Sequence, residues 1–291
     1  MNRGIVVRIV KLAVSAVLLV ALIRAANWTD VLAEATKLDR AWLVASLLLF
    51  VPQTIVSAWR WQKLIAPLTQ LTLGDSLRHT LLANAMNLIV PAKGGDFSKA
   101  ALVEGLSTTE RTQVAGRVVI EKLGDVACLF VCMALGLGGL QAAVTSLLVL
   151  LTVGGVMLRD RRVPAGERWL PVLLSTVGLW CLHLFQMHAF LQAAGVDSAL
   201  ATTLVRAPLA LFAGLVPGTF CGVGTRDSAL VYLYADTAPA ATMAVVGLLT
   251  SLRYLVPGAV GIGVMLAARI KPVGHASRVP WVSTTGDVSL R

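Results

Sequence analysis

The sequence predicts an all-α integral membrane protein with about six transmembrane helices and two re-entrant hairpins of broken helix, arranged as an inverted repeat. Three observations support this prediction: a very apolar composition, long uncharged runs of helical length, and two apolar stretches interrupted by Val-Pro and glycines. Of the 291 residues, 57% are hydrophobic and 14% are charged, with a mean hydropathy of +0.79. One soluble core cannot bury that much apolar surface, so the chain is predicted to lie in a bilayer.

The net charge of +10 does not indicate nucleic-acid binding. The basic residues stand between apolar spans, without an arginine-rich block or interleaved aromatic side chains, as membrane-topology determinants do. All four cysteines lie inside apolar segments, where a small soft side chain packs well: Cys128, Cys132, Cys181 and Cys221. We therefore expect no nucleic-acid partner, no disulfide framework, no metal site and no cofactor.

A helix crosses the roughly 30 Å hydrocarbon core of a bilayer with about 20 apolar residues, because it rises about 1.5 Å per residue. By this measure the predicted spans are residues 5–23, 41–59, about 114–138, about 142–158, 169–191 and 240–268. The third and fourth come from an uncharged run, Val126 to Leu158, that is too long for one helix and carries glycines in its middle. For the first span a cleaved signal peptide is the alternative, although Arg24 fits poorly in a cleavage region.

Two apolar stretches remain, at 78–103 and 199–235, and loop charge predicts how they run. Lys and Arg favour the cytoplasmic side of short loops. The loop 159–168 is rich in arginine and is expected in the cytoplasm, whereas the loops 191–198 and 232–239 contain no Lys or Arg and are expected outside. The stretch between these two outer loops must then enter the membrane and return to the face it left.

The first stretch is expected to return to the cytoplasmic face in the same way. The basic residues on both sides of it are Arg60, Lys63, Arg78 and Arg111. Trp59 and Trp61 indicate an interfacial aromatic anchor at this face, with a role in a cleft as the alternative. Both termini are expected in the cytoplasm, and the polar residues 271–291 are expected to form a disordered tail.

One hairpin therefore opens from each face, which is the pattern of an inverted repeat with halves at about 1–140 and 141–270. A broken helix leaves backbone groups without partners, at several kcal/mol each, so it survives only within protein or beside a wet cavity. Proline ends a half-helix, glycines permit the turn, and aspartate caps the next half-helix. These residues are Pro91, Gly94, Gly95 and Asp96 in the first hairpin and Pro217, Gly222, Gly224 and Asp227 in the second.

Charged residues inside the spans need partners, because a charge at the bilayer centre costs on the order of 3 kcal/mol. Glu121 and Asp125 share one face of the third span, and Arg253 lies near the middle of the sixth. A structural interpretation pairs either acid with Arg253 across the repeat interface. The expected buried charge network is Asp96, Glu121, Lys122, Asp125 and Asp227.

A functional interpretation places cations in a polar cleft, where they bind a phosphate. Paired broken hairpins in inverted repeats are typical of transporters, whose half-helix N-termini meet the anionic part of a substrate. A guanidinium fork suits a phosphate group. The expected phosphate-binding residues are Lys99, Arg206, Arg226 and Arg253. The two interpretations are compatible.

Four motifs in this order resemble the transmembrane, flippase-like domain of lysylphosphatidylglycerol synthases and their stand-alone bacterial relatives: WRW at 59–61, NLIVPAKGGDFSKA at 87–100, IEKLGD at 120–125 and VPGTFCGVGTRDS at 216–228. The resemblance covers about residues 5–270. It implies a protein of the bacterial cytoplasmic membrane that moves lipids between leaflets, aminoacylated phosphatidylglycerol in the best-known members. The positions that carry over are Asn87, Pro91, Gly94, Gly95, Asp96, Lys99, Glu121, Lys122, Asp125, Pro217, Gly222, Gly224, Arg226, Asp227 and Arg253.

The sequence departs from the family pattern at four positions. Lys99 and Lys122 stand where arginine is common, Asp227 where glutamate is common, and Cys221 where glycine is usual. Lysine keeps the charge but loses the bidentate fork, so phosphate recognition there is expected to be weaker or different. About 20 residues follow the last span, so we expect no aminoacyl-transferase domain and no lysyl transfer.

The leading functional hypothesis is a lipid translocase without enzyme activity, which takes a phospholipid or lipid-phosphate headgroup into a cleft between the halves. No nucleotide-binding loop is present, so movement is expected to be downhill or ion-coupled. One alternative is a membrane-embedded enzyme on a lipid-linked substrate, with Glu121 and Asp125 as acid and base. Another is an accessory subunit that positions a partner membrane glycosyltransferase.

Overall fold

The computed structural model describes residues 27–103, 105–137, 169–214 and 222–268, together with isolated helical positions at 13, 17, 20, 141, 144, 145, 148 and 152. Within these residues the fold is helical and has no strand. Several sequence predictions fall wholly or largely outside them: the first span at 5–23, the fourth at 142–158, the loop 159–168, Pro217 and the tail 271–291.

The described helices are α1 (Trp28–Thr36), α2 (Arg40–Leu48), α3 (Phe50–Ile65), α4 (Leu73–Asn87), a 3₁₀ segment (Pro91–Phe97), α5 (Ser98–Leu102), α6 (Thr108–Leu137), α7 (Trp169–Ala193), α8 (Leu200–Ala213), α9 (Thr225–Leu233) and α10 (Ala240–Ala268). Side-chain caps set some of their starts. Asp39 accepts the N–H groups of Ala41 and Trp42 at the start of α2. Thr72 and Asp75 form a capping box at the start of α4.

Three helical stretches in the described part of the chain are long and apolar enough to cross a membrane. They are Arg40–Ile65, which joins α2 and α3, Trp169–Ala193 and Ala240–Ala267. Each exceeds the roughly 20 residues that a crossing needs, and they match the second, fifth and sixth predicted spans. The predicted third span is the continuous helix α6, whose central charges exclude it from this apolar set.

The first predicted hairpin is broken between α4 and α5. After Asn87 the chain turns, and the 3₁₀ segment and α5 pack back against α4. Pro91 begins the 3₁₀ segment and Gly94 lies within it. Gly95 permits the close return, because a Cβ there would lie 2.3 Å from the backbone N of Asn87. The prediction that Asp96 caps α5 is wrong: this aspartate lies inside the 3₁₀ segment and binds a lysine instead.

The second predicted hairpin has a similar form. Helices α8 and α9 pack against each other, and α9 begins after Gly222 and Gly224, whose φ angles are 75° and 93°. Such positive values favour glycine. Asp227 accepts the N–H of Gly224 at 3.0 Å, which confirms its predicted capping role.

Contacts between remote segments place the start and the end of each hairpin at the same end of the molecule. At one end the Asp39 N–H donates to the Ala193 carbonyl at 2.8 Å, and Arg206 on α8 binds Asp236 just after α9. At the opposite end the residues around α4 and α5 share an apolar cluster that includes Ile65 and Val103. The two ends of each hairpin therefore lie together, while the inverted repeat and the entry of the hairpins into a membrane stay predictions.

Candidate functional site

A cavity of about 550 Å³ lies where α3, α4, α6 and α10 meet the two hairpins. Its charged wall residues are Arg60, Lys99, Lys122, Arg226 and Arg253, with Asp96, Glu121 and Asp125. Buried charges are expensive unless they are paired and hydrogen-bonded. The contacts of each charge therefore show which groups are already satisfied by the protein and which can bind something else.

Arg60 on α3 is 1% exposed and joins two carboxylates of α6. Its Nη2 donates to Glu121 Oε1 at 2.9 Å, and its Nη1 donates to Asp125 Oδ1 at 2.6 Å. A further donation runs from Nη1 to the Thr176 hydroxyl of α7 at 3.2 Å. One guanidinium thus separates two like charges that share a face of α6 and links three helices.

Lys99 on α5 approaches Glu121 from the side of the first hairpin. Its Nζ donates to both carboxylate oxygens, at 3.1 and 3.0 Å, and lies 5.1 Å from the centre of the Trp61 ring. Trp61 is fully buried in the apolar cluster that includes Ile65 and Val103 and does not line the cavity, whereas Trp59 is 36% exposed. Lys99 lines the cavity as predicted, but its charge is already compensated by Glu121.

Lys122 adds a further ion pair between α6 and the first hairpin. Its Nζ lies 2.5 Å from Asp96 and 3.6 Å from Asp125. Asp96 also accepts from the Asn87 side chain at 3.2 Å. Three cations and three carboxylates are therefore paired with one another, and we call this set the closed network: Arg60, Lys99, Lys122, Asp96, Glu121 and Asp125.

The closed network corrects the predicted pairing of Glu121 or Asp125 with Arg253. Both acids bind Arg60, which the sequence prediction placed in a cytoplasmic loop because the apolar span ends at residue 59. Helix α3 continues to Ile65, so Arg60 lies inside the bundle. A local signal for this exists: Gln53, Ser57 and Arg60 are spaced i, i+4, i+7, which puts a polar stripe on one helix face.

Arg226 and Asp227 form a second buried pair at the start of α9. Asp227 Oδ1 accepts from Arg226 Nε at 2.9 Å and from Nη2 at 2.6 Å. The same Nη2 donates to the Gly247 carbonyl at 3.1 Å and to the Ser251 hydroxyl at 2.9 Å, both on α10. The Nη1 group of Arg226 is buried and has no hydrogen-bond partner among the described residues.

Arg253 on α10 is the cavity cation without a counter-ion. It is 6% exposed, its Nη1 lacks a hydrogen-bond partner, and it makes no ion pair with any described residue. Its guanidinium lies 5.4 Å from the centre of the Tyr254 ring, and that of Arg226 lies 6.0 Å from the same centre. Two arginines with unused N–H donors thus meet at one wall of the cavity, and planar N–H donors of this kind suit an oxyanion.

Arg206 lies elsewhere, so the structure does not bring it to the cavity with the other predicted cations. It donates to both carboxylate oxygens of Asp236, at 2.6 and 2.7 Å, at the end of the bundle. The hydrogen bond from Arg206 lowers the pKa of the exposed Asp236 to about 2. The sequence predicts Arg206 in the cleft because this residue precedes the second break. In the structure its side chain instead binds the loop that follows α9.

One edge of the cavity reaches the apolar surface of the protein. Phe97, Val119 and Leu123 line the cavity and are also 47%, 43% and 42% exposed. Val119 and Leu123 share one face of α6, and Phe97 ends the 3₁₀ segment beside Lys99. In a bilayer, exposed apolar side chains face acyl chains, so we call these three residues the apolar rim.

A model of one protein family, described as the lysylphosphatidylglycerol synthase TM region, matches residues 8–159. This is slightly more than half of the chain and includes every member of the closed network. Arg226 and Arg253 lie beyond the matched residues. The chain matches no curated protein.

Proposed function

This chain belongs to the lysylphosphatidylglycerol synthase transmembrane-region family, and from that premise we propose that it is a lipid translocase of a bacterial cytoplasmic membrane. In this proposal the cavity takes the phosphate-bearing headgroup of a lipid while the acyl chains stay in the bilayer. The family indicates a membrane function related to lipids. The cations of the cavity support an anionic headgroup, and the apolar rim supports the movement of a lipid.

The observation that carries the proposal is the charge of Arg253, which pairs with no acid among the described helices, beside the unused Nη1 of Arg226. A buried guanidinium without a counter-ion is strongly unfavourable, and an anion that enters the cavity relieves that cost. Lys99 is already neutralised by Glu121, so it does not require an anion from outside the protein. The proposed headgroup site is therefore Arg226 and Arg253, a smaller set than the four cations expected from the sequence.

The apolar rim supports an amphipathic ligand over a soluble anion. A free phosphate needs only the polar wall, whereas a lipid needs a polar pocket that is continuous with an apolar edge. Lys122 lies between Val119 and Leu123 in the sequence of α6 and keeps 34% of its side chain accessible. A headgroup can thus pass polar side chains near the rim while its chains cross Phe97 and Leu123.

The contacts of Glu121 and Asp125 favour a structural role over acid–base catalysis. Glu121 accepts from Arg60 and Lys99, and Asp125 contacts Arg60 and Lys122. A general acid or base must reach a substrate proton, and these carboxylates are occupied by protein cations. We therefore propose no catalytic step for this cavity.

The test is translocation of acyl-labelled fluorescent phosphatidylglycerol in liposomes that contain the purified protein. Hydrogen bonds to charged groups contribute about 1.5–3 kcal/mol, so Arg253→Gln should slow translocation at least about tenfold. Arg206→Gln is the matched control, because it removes an arginine that is paired outside the cavity, and it should leave the rate unchanged. A folded Arg253→Gln protein that moves this lipid at the wild-type rate would contradict the proposal.

A further inference from the structure

The second half of the chain repeats a spacing of the first half but not its ion pair. Asp96 and Lys122 are 26 residues apart, and so are Asp227 and Arg253. Each aspartate follows the glycines of a break, and each cation lies on the long helix that comes next. Asp96 and Lys122 are in direct contact at 2.5 Å, whereas Asp227 binds Arg226, and Arg253 pairs with no acid in the part of the chain that the structure describes.

The residue before each aspartate explains the difference. In the first half it is Gly95, which has no side chain to compete for Asp96. In the second half it is Arg226, whose guanidinium is 2.6 Å from Asp227. At these positions the second half therefore has two arginines and one aspartate, whereas the first half has one lysine and one aspartate.

Asp227 also lies directly against the helix that carries Arg253. A Cβ added at Gly247 of α10 would lie 2.9 Å from Cβ of Asp227, so α9 and α10 are in close contact here. Arg226 and Arg253 flank the same ring, that of Tyr254. Asp227 thus pairs with Arg226, and Arg226 in turn lies close to Arg253, so a shift of α9 against α10 is needed to bring the carboxylate to Arg253.

We propose that Asp227 is an exchangeable counter-ion: it pairs with Arg226 in the state described here and with Arg253 in a second state, and the ligand phosphate binds the arginine that Asp227 leaves free. This inference rests on the proposed function and names the residue that regulates its site. Inverted-repeat transporters change access by moving one repeat against the other. In the second state the second half would adopt the pairing that the first half shows between Asp96 and Lys122.

The proposal makes Asp227 a positioning residue that competes with the ligand. While Asp227 is charged, it lowers the affinity of the arginines for an anion and helps to expel the anion when it changes partner. Asp227→Asn removes the charge but keeps an oxygen that can accept the Gly224 N–H, so the cap of α9 is retained. A merely structural role predicts lower stability and no gain in affinity.

The first measurement is the dissociation constant of the purified protein for short-chain phosphatidylglycerol, with short-chain phosphatidylcholine as the zwitterionic control. Asp227→Asn should bind the anionic lipid at least about tenfold more tightly and translocate it more slowly than wild type. Asp227→Glu, which keeps the charge, should show no gain in affinity. Asp236→Asn is the matched control, because it breaks an Asp–Arg pair outside the cavity, and it should change neither quantity.

The second measurement tests whether Asp227 reaches Arg253. In Arg226→Gln, Asp227 is free to neutralise Arg253, so binding of the anionic lipid should weaken at least about tenfold. Adding Asp227→Asn to that variant frees Arg253 and should restore most of the lost affinity. If the Asp227→Asn variant does not fold, Asp227→Ser is used instead, because its hydroxyl can also accept the Gly224 N–H.

Two results would overturn the counter-ion role: no gain in affinity for Asp227→Asn or Asp227→Ser, or no recovery of affinity in the Arg226→Gln background. Failure of the proposed function looks different. In that case the wild-type protein neither prefers the anionic to the zwitterionic lipid nor moves either of them. Wild-type binding and translocation with unchanged Asp227 variants would reject only the exchange.

Discussion

Arg60 is the residue on which the closed network depends most. It is the cation shared by Glu121 and Asp125, which would otherwise repel each other on one face of α6. Lys99 also pairs with Glu121, and Lys122 pairs with Asp96 and lies near Asp125, but neither lysine joins both acids to α3. A buried ion pair becomes strongly unfavourable when one partner is removed, because the remaining charge stays buried.

Arg60→Gln should therefore destabilise the protein by about 3 kcal/mol or more. The measurement is thermal unfolding of the purified protein in detergent. Lys63→Gln is a control on the same helix, where the lysine contacts only the Trp59 ring among its described partners. Equal unfolding temperatures for the two variants would show that the network contributes little to stability.

At the scale of elements, the close crossing of α4 and α10 joins the first hairpin to the second half. At Gly261 an added Cβ would lie 2.0 Å from the Leu81 carbonyl oxygen, so the two backbones are in contact there. Gly263, two residues further along α10, has nothing within 4 Å of the same added atom. The two glycines are alike in sequence but differ in packing, which provides a matched comparison.

Gly261→Ala should lower the stability by about 1–3 kcal/mol, because the added methyl group forces α4 and α10 apart. Gly263→Ala should be neutral or slightly stabilising, since alanine favours a helix over glycine. Thermal unfolding in detergent compares the two, and the liposome assay shows whether the shifted helices also slow lipid movement. A Gly261→Ala protein as stable as the Gly263→Ala protein would contradict the close crossing.

At the scale of the whole molecule, the cavity wall has two parts: in one the charges are paired with each other, and in the other positive charge is in excess. The closed network ties α3, the first hairpin and α6 together with balanced charge. The second hairpin and α10 carry Arg226, Arg253 and a single aspartate, Asp227. In the proposed translocase, the paired charges of the first half have a structural role and the second half binds the headgroup.

The predicted orientation can be tested with single cysteines in a variant whose native cysteines are replaced. Asp197→Cys, at the end that holds Ala193, should react in intact cells with a membrane-impermeant maleimide, because its loop is expected outside. Ser107→Cys, at the end that holds Ile65, should react only after the cells are lysed. Labelling of both positions from the same side would contradict the inverted repeat.

Much of the fold is determined by local sequence. The apolar runs that predict helices at 41–59, 169–191 and 240–268 correspond to apolar helices with nearby ends, because length and hydropathy act within one segment. Proline and glycine likewise interrupt the chain where their backbone geometry requires it. The short helix α1 lies between the first two predicted spans, where charges of both signs interrupt any apolar run.

The tertiary structure decided which charges are paired. Their positions inside apolar spans identify Glu121, Lys122, Asp125 and Arg253 as charges that need partners, but a partner depends on which distant segments meet. Arg60 and Glu121 are 61 positions apart and bind because α3 continues to Ile65, beyond the end of its apolar run at residue 59. The same contacts leave Arg253 with an unsatisfied charge, which no pattern within a single segment can show.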